Sequence, residues 1–288
     1  MIRVDASRFG GRDARGLRSF LDYARDTLNG EEGIASVSLS VPDLDPLAVL
    51  EGIYESTEAH LYLEKDAESV SGAEAVALGE FRGADRMPEA SAWIADRRRR
   101  IVATGDLDAG FSGPLFFAAF PFSPSSPAPA TVFVPRWQVC RSASACVAVA
   151  NVPVSASMDA EAEVGRLMKA HARFQAFPDE FPAGFESPHG TVERRAEPAG
   201  AYLERVSGAL RAIRDGEVEK VVAARWLDVG SSAPIRPLGL LHRLRERFPG
   251  CFSFSFSPGD GESWIGASPE RLVRVGDNRF ETEAIAGS

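Results

Sequence analysis

Apolar and polar residues alternate along residues 34–41 (IASVSLSV), which predicts a strand with one buried face. Residues 60–64 (HLYLE) and 75–81 (AVALGEF) carry the same signal in shorter form. Residues 111–122 (FSGPLFFAAFPF), 131–139 (TVFVPRWQV) and 146–154 (CVAVANVPV) are aromatic or β-branched runs that predict more sheet. The Pro- and Ser-rich stretch 123–130 predicts a loop between strands, because both its flanks read as sheet. Helical spacing takes over in residues 88–100, 159–175, 199–214 and 237–248. In the third of these Leu203, Val206, Leu210 and Ile213 share a stripe, and Gly216 stands where a C-terminal cap ends a helix. In the fourth, Leu241, Leu244 and Phe248 form the expected buried stripe. A Pro- and Gly-rich connection covers 177–190.

Residues 219–229 (EKVVAARWLDV) predict another strand, and residues 251–257 (CFSFSFS) alternate strictly, with Phe252, Phe254 and Phe256 on one face. A turn at Gly259-Asp260-Gly261 starts a return strand at Glu262. Residues 271–275 and 279–285 predict a further hairpin. Strands in meanders and helices in blocks indicate the α+β class. Residues 1–155 form a sheet-rich first part and 156–288 a second, expected to make one integrated domain. A patterned strand at the C-terminal end leaves an edge uncovered, so further chain is expected to cover it.

At 288 residues and 44% hydrophobic content, the chain can bury a large core. No apolar run is long enough to span a membrane, and the first residues lack the apolar stretch of a secretory signal. Cys140, Cys146 and Cys251 fit neither a disulfide framework nor a zinc pattern, which points to a cytoplasmic protein with free thiols. The net charge of −9 argues against nucleic acid as a partner. The basic run Arg97 to Arg100 reads as a solvated helix end, with an anion patch as the alternative. His60, His171, His189 and His242 are scattered, so no transition-metal site is expected. Only Lys65, Lys169 and Lys220 are lysines; arginine supplies the other basic residues.

Three short segments carry candidate chemistry. Strand alternation puts Lys220 with Val222, Ala224 and Trp226. An amine desolvated among such neighbours loses basicity and can act as a general base. The plainer alternative is a strand-end lysine reaching to water. Residues 266–270 (GASPE) break the sheet and present Glu270. A glutamate in a partly apolar crevice can donate a proton, and the alternative is an ordinary turn residue. Residues 284–288 (AIAGS) offer backbone N–H groups of Ala286 and Gly287 to a carboxylate, or form a plain strand exit.

The order and spacing of EKVVAAR, GASPERLV and AIAGS resemble the chorismate-binding enzymes. That family holds isochorismate synthases, salicylate synthases, anthranilate synthase large subunits and aminodeoxychorismate synthases. The resemblance is dense from about residue 200 to 288 and weaker upstream. It implies a fold of large mixed or antiparallel sheets flanked by helices, here incomplete at its C-terminal side. Lys220 resembles the members that add water to chorismate rather than ammonia, the isochorismate and salicylate synthases, and the divergent N-terminal half resembles the menaquinone-type enzymes.

The implied roles are Lys220 as general base, Glu270 as general acid, and Ala286 and Gly287 as substrate-binding residues. The implied cofactor is Mg2+, held by glutamates beyond the AIAGS segment, so no metal ligand is assigned in this chain. Glu281 and Glu283 read as residues of a solvated face. The expected partner besides chorismate is a complementing C-terminal half. The chain alone is expected to be inactive and poorly soluble, as a truncated product or one half of a split enzyme. A salicylate synthase, another chorismate-utilising enzyme and a non-catalytic fragment are the alternatives.

Overall fold

A computed structural model of the chain describes residues 1–10, 13–53, 57–174, 176–177, 181, 191–276 and 279–282. They fall into two compact units, Met1–Ala183 with Pro237–Ser288, and Gly184–Arg236. The division at residue 155 expected from sequence lies inside the first unit.

Asp13 starts the first helix, α1 (Ala14–Thr27), by accepting a hydrogen bond from the Gly16 N–H at 2.8 Å. Its residues Phe20, Leu21 and Ala24 are buried. Asp159 caps α4 (Ala160–Phe174) by accepting from the N–H groups of Glu161 and Ala162. Val164 and Leu167 of α4 join the residues of α1 in one apolar cluster. The remaining helices of the first unit are α2 (Pro46–Ile53), α3 (Arg86–Arg99) and α6 (Pro237–Arg247).

The strands of this unit are β1 (Ile2–Arg3), β2 (Gly33–Ser40), β3 (His60–Lys65), β4 (Glu68–Phe81), β5 (Ile101–Gly105), β6 (Phe117–Ala119), β7 (Ala130–Arg141) and β8 (Cys146–Val154), followed by β11 (Phe252–Ser257), β12 (Trp264–Ser268), β13 (Arg274–Gly276) and β14 (Arg279–Glu281). One mixed sheet runs β1-β5-β2-β8-β7-β4-β3-β11-β12, with β6 on β7. Among the described residues only β1 with β5 and β5 with β2 are parallel. Alternation along β2 sends Ala35 and Val37 into the cluster under α1 and α4, and Ile34 into a second cluster with Ile101, Ala103 and Val134 on the other face. The Pro- and Ser-rich stretch does join two antiparallel strands, β6 and β7.

Several expectations are corrected. Of residues 111–122 only β6 is strand, because Pro114 and Pro121 cannot donate to a ladder and Phe111 takes a left-handed φ of 60°. Phe248 lies beyond the end of α6 and is exposed. In β11 the three phenylalanines share a face as expected, yet the buried face is the other one. Ser253, Ser255 and Ser257 are almost fully covered, while the phenylalanines are half-buried. The serine face lies under α6, where small side chains let a helix sit close to the sheet.

His60 belongs to that same polar face. His60 Nε2 and Ser255 Oγ share a hydrogen bond of 2.7 Å. Burial pulls the imidazole from its ordinary 6.5 down to about 4. The unfolded chain therefore takes up this proton before the folded chain does, and stability falls as pH drops through that window. The expected loss is about 3 kcal/mol by pH 4. Urea midpoints at pH 7 and pH 4.5 should differ less in His60→Gln than in the parent chain. An unchanged pH dependence in the variant would remove His60 as the cause.

The second unit holds α5 (Ala199–Arg214) and a two-stranded antiparallel ribbon of β9 (Val192–Ala196) and β10 (Leu227–Ser231). Gly216 does end α5, with φ at 74° and its N–H donated to the Ile213 carbonyl. The apolar stripe of α5 is largely open, with Leu203 61% and Leu210 53% exposed. The strand expected over 219–229 is present only from Leu227. Its partner β9 ends at Ala196, so residues 219–226 have no strand to pair with among the described residues. No described helix is long and apolar enough to cross a membrane.

Candidate active site

The GASPE segment stands where the large sheet ends. β12 pairs with β11 alone, so its outer edge is open among the described residues. Gly266 faces Phe254 across that pair. A Cβ at Gly266 would lie 2.5 Å from the Phe254 ring, so the ring rests on bare backbone. Pro269 cannot donate to a ladder, and the chain leaves the sheet there. Glu270 follows, exposed, and no described group bonds its carboxylate. The partly apolar crevice expected around it is not formed by the described residues. Beyond it Arg271 pairs with Glu281 at 3.7 Å, and Thr282 Oγ1 donates to the Leu272 carbonyl at 2.9 Å. These contacts tie the turn to the β13–β14 hairpin. Glu281 is exposed as expected, and Glu283 lies outside the described residues.

The layer behind GASPE is fixed by a charge cluster that local sequence patterns did not reveal. Arg245 of α6 grips Asp45 with both Nη atoms, at 3.0 and 2.5 Å. Its Nη1 also reaches Glu64 Oε2 at 3.2 Å and Tyr62 Oη at 3.3 Å. Tyr62 in turn donates to Glu64. Burial, followed by the Glu64 carboxylate, pushes the Tyr62 phenol far above its ordinary range. Burial works against the Arg245 guanidinium, but the bond and charge of Asp45 outweigh it and keep the group firmly cationic. Asp45 and Arg245 are 200 residues apart, so no local period links them. The one available signal was a charged residue on the same helix as Leu241.

Lys220 belongs to the second unit. It lies in an exposed stretch, and its neighbours Val221 and Val222 are 45% and 82% exposed. The apolar surroundings expected for a desolvated base are absent there because the strand is absent. The stretch is nonetheless held within its unit. Arg205 of α5 donates to the Ala224 carbonyl at 3.2 Å, and Glu197 donates its N–H to the Trp226 carbonyl at 3.4 Å. The two Nη atoms of Arg205 meet the two carboxylate oxygens of Glu197 at 2.5 Å each, which holds the Glu197 carboxyl below its usual range.

Lys220 and Glu270 thus stand in separate units, and Ala286 and Gly287 lie outside the described residues. Among the described residues no group of three or more His, Cys, Asp or Glu is disposed to hold a metal ion. The buried thiols are not nucleophile candidates: burial pushes Cys140 up to about 12 and raises Cys146 as well.

Comparison with known proteins gives a consistent assignment. Residues 19–288 match the family described as chorismate binding enzyme. The isochorismate synthase MenF of Bacillus subtilis is 25% identical over 273 residues, covering 88% of this chain and 56% of that protein. Anthranilate synthase component 1 of Halobacterium salinarum is 33% identical over 168 residues, covering 57% of this chain and 31% of that protein. The solved structure of MenF, the menaquinone-specific isochorismate synthase of Escherichia coli, superposes with a TM-score of 0.58 at 19% identity. That superposition covers 89% of this chain and 56% of the MenF chain, so this chain spans about half the length of such relatives. The mixed sheet, its flanking helices and the match over residues 19–288 agree: the chain belongs to the chorismate-binding enzyme family.

Proposed function

We propose that this chain supplies the acid and base of an isochorismate synthase of the menaquinone type. The observation that carries the proposal is the family match over residues 19–288, which includes both Lys220 and the GASPE turn. Lys220 favours water over ammonia as the nucleophile, by its resemblance to the water-adding members. In the proposed reaction water attacks carbon 2 of chorismate and the ring double bonds shift. Lys220 takes a proton from that water. Glu270 gives its proton to the hydroxyl at carbon 4, which departs as water, so one water enters and one leaves. The backbone N–H groups of Ala286 and Gly287 bind a substrate carboxylate. Magnesium belongs to this proposal through ligands elsewhere, and no step above runs through it. A cytoplasmic location fits the three free thiols.

The complementing region is the other half of the proposal. Trp264, Leu272, Val275 and Phe280 in the first unit are each at least 73% exposed. So much apolar surface beside an open strand edge suits burial under another polypeptide segment. Co-expression with the C-terminal region of the Bacillus subtilis relative tests this. The chain alone should leave chorismate unchanged, and the pair should form isochorismate when magnesium is present. Turnover by the chain alone, or a stable pair without turnover, would overturn the proposal.

A further inference from the structure

A cavity lies away from GASPE, within the first unit. It encloses about 240 Å³ between α4, the end of α2 and the sheet. Three rings form its wall. Phe174 sits 6.4 Å from Trp137, edge-on, and 5.9 Å from Phe177. The α4 side is cationic, because Arg166, Lys169 and Arg173 recur at helical spacing along one face. For a chain of net charge −9 with only three lysines, that convergence is unusual.

Most of these charges are already engaged. Arg166 donates to Glu163 Oε1 at 3.0 Å. Glu163 Oε2 accepts from the nearly buried Arg136 at 3.3 Å, and Arg136 also holds Glu74. Arg173 donates to the Gly52 carbonyl, and its guanidinium lies 5.5 Å over the Phe177 ring. Glu58 lines the cavity as well. Among the described residues the lining cations Arg166, Lys169 and Arg173, with Arg136 behind them, stand against Glu58, Glu74 and Glu163, which leaves one positive charge in excess. Of these four cations Lys169 is the one with no ion pair or hydrogen bond among the described residues. Glu74 takes a left-handed φ of 61°, rare for a side chain of its kind, and donates its N–H to the Ala59 carbonyl at 3.1 Å. Backbone held in so unfavourable a state at the rim of a cavity marks candidate binding sites.

We propose that this cavity binds a small monocarboxylate carrying a flat ring. Lys169 takes the carboxylate, with Arg173 beside it, and the ring stacks among Trp137, Phe174 and Phe177. One excess positive charge matches one carboxylate, and the aromatic walls match a planar apolar body. This inference does not depend on Lys220, Glu270 or chorismate.

Phenylacetate and its neutral counterpart phenylacetamide are suitable probes, measured by calorimetry or ligand-observed NMR on the 288-residue chain. Phenylacetate should bind with a dissociation constant on the order of 1 mM, as expected for so few heavy atoms. Phenylacetamide should bind at least about tenfold more weakly. Lys169→Glu should remove phenylacetate binding, and Arg98→Glu, an equal charge change on α3, should leave it intact. Lys169 is exposed, so its replacement leaves the core untouched. No phenylacetate binding, equal binding of the two probes, or equal loss in both variants would each overturn the proposal.

Discussion

Replacing Lys220 by alanine in the complemented enzyme is expected to lower turnover by about 10² to 10⁴, the usual contribution of one general base. Glu270→Gln should cost a similar factor, because the amide is isosteric but cannot give up a proton to the leaving hydroxyl. Neither change should alter the circular dichroism spectrum or the thermal midpoint, since both side chains are exposed. The two variants should differ in their pH profiles. Loss of the base removes the limb of the profile that rises with pH, and loss of the acid removes the limb that falls. Near-normal isochorismate formation by Lys220→Ala would take this residue out of the mechanism. Val221 and Val222 bear on the same question. A base needs water excluded around it, and these two apolar side chains are open to solvent in the second unit. If the complementing segment supplies the missing cover, the Lys220 stretch should gain protection from hydrogen exchange when the pair forms.

Arg245→Met is expected to be the most damaging single change to the fold, costing about 3 to 5 kcal/mol. The Arg245 and Asp45 side chains are only 13% and 4% exposed, and Glu64 is 19% exposed. Removing the guanidinium leaves two carboxylates facing each other with little water to screen them. The penalty comes from those stranded charges and not from the lost contact alone, which makes a second variant informative. Arg245→Met combined with Asp45→Asn and Glu64→Gln removes all the charges together and should recover much of the loss. Urea unfolding of the parent, the single variant and the triple variant separates the terms. If the single and triple variants unfold at the same midpoint, stranded charge is not what holds α6 in place.

The same comparison shows what a single sequence can disclose. Strand β8 begins and ends where its β-branched run does, because both faces are buried and the pattern has sharp limits. Helix α4 was legible from the helical spacing over 159–175, which comes within a residue of its observed ends. Of the GASPE segment only the exit at Pro269 was legible; Gly266 to Ser268, expected to break the sheet, are paired residues of β12. The segment around Lys220 was not, since β propensity cannot say whether a partner strand exists alongside. The buried face of β11 was misleading for a related reason. A phenylalanine outranks a serine on any hydrophobic scale, but the close approach of α6 selects for size, and the serines went inside. The charge cluster was invisible because its members meet only after the chain has folded across 200 residues. The relation of Lys220 to Glu270 is a question of how two units join, and local pattern carries no information about it.

The repeat Phe-Ser-Phe-Ser-Phe-Ser in β11 has a consequence for how the sheet finds its alignment. Sliding β11 by two residues against its neighbours returns the same kinds of side chain to the same faces. Hydrophobicity is blind to such a slip. The partners do not break the tie. Phe252, Phe254 and Phe256 already face Ser268, Gly266 and Trp264, so a slip exchanges one ring for another opposite each of them. His60 would likewise meet Ser253 or Ser257 in place of Ser255. What differs is the two ends of the repeat, where Gly250-Cys251 precedes it and Pro258, which cannot donate to a ladder, follows it.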